Sequence, residues 1–216
     1  MTTQSINRDL KTLNVFIRSQ FTINRFFKLP AESPTYDVEA YPEVLMDSKY
    51  SGTHLPRTIS SVTTIPSTWN YSLSEGDSTG YDVAYDAWVY PNSGATGTAT
   101  AEIMVWTAAN FGQDGTNVGD YTIDGITFTL YQSLPADYSW TNHPVYSFVA
   151  QKSVSYISGD FKQFITALTN KGYFSTSGYL TSVEAGIELR GTSGSGSLTT
   201  YDFNTYVGRR QRSSIC

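Results

Sequence analysis

One cysteine stands in the 216 residues, and it is the last of them, Cys216. A disulfide within the chain is therefore excluded. The two histidines, His54 and His143, fall in separate loop-like contexts, and no Cys/His set has metal-ligand spacing, so no metal is expected. Long hydrophobic runs are missing as well. No apolar stretch approaches the roughly 18 residues that a membrane span needs. Near the N-terminus the hydrophobics Leu10, Leu13, Val15, Phe16 and Ile17 are interrupted by Asn, Arg, Ser and Gln. That pattern lacks the apolar core of a secretory signal. Charge is sparse too, at 15% of residues, which excludes the highly charged composition of a disordered chain.

What the chain does have is aromatic surface. Aromatics make up 14% of residues and include 16 tyrosines, more than a core alone needs, because each buried tyrosine must find a partner for its hydroxyl. Surplus Tyr and Trp beside Ser, Thr, Asn and Gly suits a surface that grips sugars, and equally an ordinary polar β-sandwich. The few charges are unevenly placed. Residues 1–28 carry five Lys or Arg against one Asp, residues 208–216 carry three Arg, and the net charge is −5, so an excess of twelve negative charges lies between. An acidic body argues against nucleic acid, which needs a basic track along its phosphates. It is compatible with a neutral polysaccharide.

Residues 1–35 differ from the rest: they show weak helical spacing and contain no Trp, Gly or Tyr. From about Tyr50 the texture is β, in short alternating runs bounded by Gly, Asn, Asp and Ser. Strands are expected at 58–65, 68–73, 80–90, 98–108, 120–124, 126–132, 145–150, 152–157, 179–190 and 197–207, paired mostly antiparallel. Asp124-Gly125 signals a tight hairpin. Phe161, Phe164, Ile165 and Leu168 follow the spacing of one amphipathic helix, with Asp160 and Gln163 as a capping box and Gly172 as its stop. TSGSGS at 192–197 reads as a flexible loop. The expected organisation is an atypical segment over 1–35, an all-β domain over 36–207 and a basic tail over 208–216. Asn70-Tyr71-Ser72 is an N-glycosylation triplet, usable if the chain is secreted.

Side chains alternate between the faces of a strand. In AEIMVW, Ala101, Ile103 and Val105 share one face, and Glu102, Met104 and Trp106 the other. In YDVAYDAW, Asp82, Ala84, Asp86 and Trp88 lie together. In VEAGIELR, Glu184, Gly186, Glu188 and Arg190 do so. Single acids on an antiparallel sheet are usually solvated. Three strands that each bury one face and show an acid on the other instead suggest opposed carboxylates, the minimum equipment for hydrolysing a glycosidic bond. Periodicity does not choose between Glu184 and Glu188.

Together, SSVTTIPSTWNYS at 60–72, YDVAYDAWV at 81–89, AEIMVW at 101–106, VYSFVAQKSV at 145–154, GDFKQFITALTNKGY and YLTSVEAGIEL at 179–189 resemble glycoside hydrolase family 12, the small endoglucanases and xyloglucanases. The resemblance implies an all-β, two-sheet jelly-roll sandwich with a concave substrate cleft and one packed α-helix. It implies a secreted, endo-acting, retaining hydrolase of β-1,4-glucan, cellulose-like or xyloglucan, that needs no cofactor and has no membrane or nucleic-acid partner. Glu102 would be the nucleophile and Glu188 the acid/base, with carboxyls about 5–5.5 Å apart. Asp86 would hold Glu102 and Glu184 would support the site. Met104, Trp106, Trp88 and Trp140 would meet the sugar, and the loops at 109–120 and 133–144 would tune the choice of glucan.

Two departures bear on this. The family usually begins with an Asn/Trp-rich strand of the kind YNNLWG and an early disulfide, whereas here Trp69 is the first tryptophan. The N-terminal region thus reads as truncated or replaced. After the acid/base the family commonly continues Pro-Phe, whereas this chain has Leu189-Arg190. A guanidinium beside a general acid favours its charged form and opposes proton donation. The alternative reading is accordingly a catalytically impaired glucan-binding or decoy protein of the same fold.

Overall fold

The computed structural model describes residues 21–28, 38–50, 52–75, 80–190 and 193–208. Its strands in chain order are β1 (Phe21–Lys28), β2 (Val38–Ala40), β3 (Glu43–Asp47), β4 (Arg57–Thr58), β5 (Pro66–Glu75), β6 (Gly80–Tyr90), β7 (Ala101–Ala109), β8 (Thr116–Ile123), β9 (Ile126–Ser133), β10 (Val145–Ala150), β11 (Tyr156–Asp160), β12 (Tyr179–Arg190) and β13 (Ser193–Thr205). One α-helix, α1 (Lys162–Asn170), lies between β11 and β12. The smaller sheet runs β1-β13-β5-β11. The larger runs β2-β12-β6-β7-β10-β9-β8, with β3 and β4 also paired to β12.

The alternation read from the sequence builds the core. Val83, Tyr85, Ala87 and Val89 of β6, Ile103 and Val105 of β7, and Val183, Ala185 and Ile187 of β12 are buried against the smaller sheet. Trp69 and Tyr71 of β5 meet them there, with the Trp69 ring edge-on to Tyr85 at 5.3 Å. These buried polar aromatics find partners, as burial demands. Trp69 Nε1 donates to Thr200 Oγ1, the Tyr85 hydroxyl accepts from Ser67, and the Tyr71 hydroxyl bonds Thr107 and the Val154 carbonyl. Phe164, Ile165 and Leu168 carry the helix into the same core, where Phe164 stands edge-on to Phe128 and Phe148.

Several expectations need correction. Residues 21–28, within the segment that read as weakly helical, form β1 and pair antiparallel with β13. Long-range pairing overrides weak local spacing. The run 58–65 is mostly not a strand: Ile59–Ser61 is a 3-10 turn. The Gly/Ser run read as a loop belongs to β13 from Ser193 on, because β1 pairs with it throughout and β5 joins from Gly196. Residues 152–155 stay outside β11. Pairing is antiparallel except for β7 with β10, which is parallel. The capping box does not form. Asp160 Oδ1 does accept from the Lys162 N–H at 3.0 Å, but also from the Ile65 N–H at 2.6 Å, and Gln163 turns instead to Asp124. The Asp124-Gly125 hairpin is present, with φ of 49° and 81°, and Gly172 ends the helix at φ 75°. The basic tail from 209 onward and residues 1–20 lie outside the described residues.

Candidate active site

The face of the larger sheet turned away from the core gathers the acids. On β6 Asp82 pairs across to Glu188 of β12, and Asp86 pairs across to Glu184. On the other side of β6, Asp86 stands opposite Met104 and Trp88 opposite Glu102 of β7. The strand carrying the two aspartates thus runs between the strands carrying Glu102 and Glu188. Glycine has its reason here at Gly186, midway between Glu184 and Glu188. A Cβ on Gly186 would collide with the Pro42 carbonyl, which instead accepts the Ile187 N–H at 3.2 Å. This close crossing brings Tyr41 over the acids, its hydroxyl donating to the Ala84 carbonyl at 3.4 Å.

The acids are not solvated. Asp82 is fully buried and Asp86 nearly so, and Glu102 and Glu188 side chains keep only 13% and 9% of their surface exposed. Burial, then the charges of Glu102, Glu184 and Glu188, push the Asp86 carboxyl well above the usual carboxylate range. Asp82 moves the same way, first from burial and then from the charge of Glu188, against the opposing pull of Arg190. Glu184 is pushed up to about 9 by burial and by its hydrogen bond with Glu43. Burial and the carboxylates of Asp86, Glu184, Glu43 and Glu188 likewise push the Tyr41 phenol up. Both aspartates feel the charges of both Glu102 and Glu188, so the four carboxyls form one electrostatic unit.

Partners are specific. Trp88 Nε1 donates to Asp86 Oδ2 at 3.1 Å, and Asp86 Oδ1 has no partner among the described residues. Arg190 shares the face of Glu188, as alternation requires. It donates from Nη2 to Glu188 Oε2 at 2.7 Å, lies 3.7 Å from Asp82, and packs over the rings of Phe111 and Trp106. Glu102 Oε2 lies 2.8 Å from Nε2 of His143, whose ring rests against Trp88 at 5.1 Å.

The residues expected to meet sugar separate into two groups. Trp140 is about half exposed, in the loop before β10, and Trp88 is partly exposed beside Glu102. Met104 and Trp106 lie on the acid-bearing face but are buried at 3% and 1% exposure in a small cluster with Ala84 and Val145. Phe111 and Arg190 cover Trp106. In this state neither offers a surface to a ligand. Sequence reasoning did not single out Asp82, although alternation puts it on the Asp86 face. It missed His143, Tyr41 and Glu43 because each reaches the acids through a loop or through short early strands with no periodicity to betray them. No cluster that could hold a metal ion is present among the described residues.

Known proteins are similar to this chain in sequence and fold. The sequence model of glycosyl hydrolase family 12 matches residues 33–208. Xyloglucan-specific endo-beta-1,4-glucanase A of Aspergillus niger is 38% identical over 165 residues, 73% of this chain and 62% of that protein. An inactive glycoside hydrolase of Phytophthora nicotianae is 37% identical over 135 residues, 60% of this chain and 54% of its own length. The chain thus spans less than two thirds of the length of these relatives. Endoglucanase cel12A of Rhodothermus marinus superposes with a TM-score of 0.73 at 26% identity, over 88% of this chain and 82% of that one. Endoglucanase 3 of Trichoderma harzianum does so at 0.66 and 31%, over 80% and 72%. With its two-sheet β-jelly roll and a family match across most of its length, the chain belongs to glycosyl hydrolase family 12.

Proposed function

We propose that the protein is an endo-acting, retaining hydrolase of β-1,4-glucan, with xyloglucan the first substrate to try. The observation that carries this reading is the pair Glu102 and Glu188 on strands flanking β6, coupled through Asp86 and Asp82. In the first step the Glu188 carboxyl gives its proton to the glycosidic oxygen while a Glu102 oxygen attacks the anomeric carbon. The C–O bond to the leaving sugar breaks and a glycosyl ester forms. Glu188, now a carboxylate, takes a proton from water, which attacks the same carbon and frees Glu102. Two inversions at one carbon retain its configuration.

The surroundings suit those roles. Asp86, whose burial favours the protonated form, is the group this reading assigns to hold Glu102, and its Oδ1 has no other partner among the described residues. Burial and the hydrogen bond with Glu43 favour the protonated form of Glu184, which limits negative charge opposite Asp86. Arg190 must release Glu188 Oε2 before a sugar oxygen takes its place. Trp88 and Trp140 are the aromatic surfaces open to sugar, whereas Met104 and Trp106 underlie the acids. An extracellular protein acting on plant-type glucans fits the family. Among the described residues no helix is long and apolar enough to cross a membrane.

The test is release of reducing ends from xyloglucan, barley β-glucan and carboxymethylcellulose, with Glu102→Gln alongside. Wild-type release that falls by a factor of about 10³ or more in the variant, with an unchanged melting temperature, supports the assignment. Comparable turnover by the variant sinks it. The Arg190–Glu188 contact favours a second reading, a glucan-binding protein without turnover. Retardation of the wild type in a xyloglucan-containing native gel, with no reducing ends released from any glucan, would establish that reading instead.

A further inference from the structure

His143 has no part in the two displacement steps, yet nothing else in the described structure bonds the nucleophile's side chain so directly. The loop that carries it is pinned at both ends of the contact. Thr141 Oγ1 accepts the His143 N–H at 3.2 Å and donates to the His143 carbonyl at 2.7 Å. One residue later the Pro144 carbonyl accepts the N–H of Glu102 itself at 3.0 Å, and Val145 then pairs in parallel with Glu102. The imidazole is clamped between the Trp88 ring and the carboxylate. Its side chain is only 14% exposed.

The hydrogen-bond pattern defines what the contact is. Nδ1 lies 2.8 Å from the Asn142 side-chain amide, which accepts from an Nδ1–H in one orientation and donates to a bare Nδ1 in the other. In both orientations of the amide, Nε2 is the ring atom placed to donate to Oε2 of Glu102 at 2.8 Å. The other ionisable group packed against this unit is Asp86 on β6, whose Oδ2 is held by Trp88, so one indole links the two groups around the nucleophile.

We infer that His143 is a positioning residue for the nucleophile: its imidazole holds Oε2 of Glu102 and leaves Oε1 as the oxygen that attacks the anomeric carbon. The inference rests on Glu102 being the nucleophile. Fixing one oxygen removes rotation of the carboxylate about its last torsion, and attack demands an aligned oxygen within contact distance of the carbon. The Thr141–Asn142–His143–Pro144 run supplies this hold from the loop that leads into β10, the strand beside β7, where neither helix nor strand periodicity would announce it.

The experiment compares His143→Ala, His143→Gln and Glu102→Gln on soluble xyloglucan, with melting temperatures for each. Loss of the imidazole should lower kcat by on the order of ten- to a hundredfold while KM stays within about twofold. The His143→Gln variant, whose amide can still donate to Oε2, should recover most of the loss. Wild-type turnover in His143→Ala overturns the inference. So does a His143→Gln variant no better than His143→Ala when both melt like the wild type. Full activity in Glu102→Gln would instead sink the nucleophile assignment. An NMR readout is independent of turnover: the ring signals of His143 should move in Glu102→Gln while those of His54 stay in place. An unmoved His143 signal overturns the contact even if His143→Ala does not fold.

Discussion

Glu102 and Glu184 are glutamates on one face of one sheet, and their neighbours give them opposite tasks. Glu102 Oε2 meets the His143 imidazole at 2.8 Å, whereas Glu184 is pushed up to about 9 by burial and by another carboxyl, Glu43. Two like groups in contact at low exposure share a proton rather than ionise together. Stability follows from the direction of that shift. The unfolded chain releases the Glu184 proton near the ordinary 4.5, and the folded chain holds it to about 9. The contribution is therefore fully present below about 4.5 and is lost as pH rises toward about 9. Glu184→Gln should leave the melting temperature near pH 4.5 unchanged and raise it relative to the wild type near pH 9. Thermal melts at both values check this. A variant that melts no higher than wild type at the alkaline value would mean that Glu43 alone carries the proton.

At the scale of elements, two extra residues aim the acids. Between Val83 and Ala84 the β6–β7 ladder slips, and Thr107 is the additional residue. Its hydroxyl turns inward to the Val83 carbonyl and the Tyr71 hydroxyl. Thr181 plays the same part where β12 slips against β6, donating to the Trp88 carbonyl. Bulges of this kind bend a strand and re-aim its side chains. Both buried threonines pair their hydroxyls, as burial demands. The entry to α1 depends on another side chain. Asp160 joins the first turn of the helix to the Ile65 N–H at the start of β5. Asp160→Ala should cost about 1–2 kcal/mol by urea denaturation, because two backbone donors lose an acceptor. A loss within experimental error would show that solvent replaces it.

An aromatic spine runs between the two sheets. Trp69, fully buried, touches Tyr71 and Tyr85, and Tyr85 continues to Phe161 and Phe203. Through Phe161 the spine reaches Phe164 and so joins the helix to both sheets. Truncating the central member leaves a cavity bordered by strands that cannot easily close on it. Trp69→Ala is expected to cost about 3–5 kcal/mol with little change in the denaturant slope. This side of the sandwich faces away from the acids, so surviving folded protein should keep the wild-type KM. A tenfold change in KM would show that core packing reaches the acid-bearing face.

Local pattern determined much of this. Period-two alternation in β6, β7 and β12 depends only on the geometry of an extended chain. It separated the core face from the face of Asp82, Asp86, Glu102 and Glu188 before any contact was known. The stripe Phe164, Ile165 and Leu168 and the Asp124-Gly125 turn were legible for the same reason, since each is a property of a few consecutive residues. Tertiary structure decided what those faces meet. β1 and the first residues of β13 have no decisive local signal, and pairing across the sheet makes them strands. Arg190 was legible as a neighbour of Glu188, but its grip on Glu188 and Asp82 required the packing of Phe111 and Trp106 around it. His143 stands 41 residues from Glu102, and Glu43 lies far along the chain from Glu184. Burial of Asp82 and Asp86 likewise arises from segments crossing over the sheet. Periodicity tells which way a side chain points; only the folded chain brings distant groups to the same point and removes the water between them.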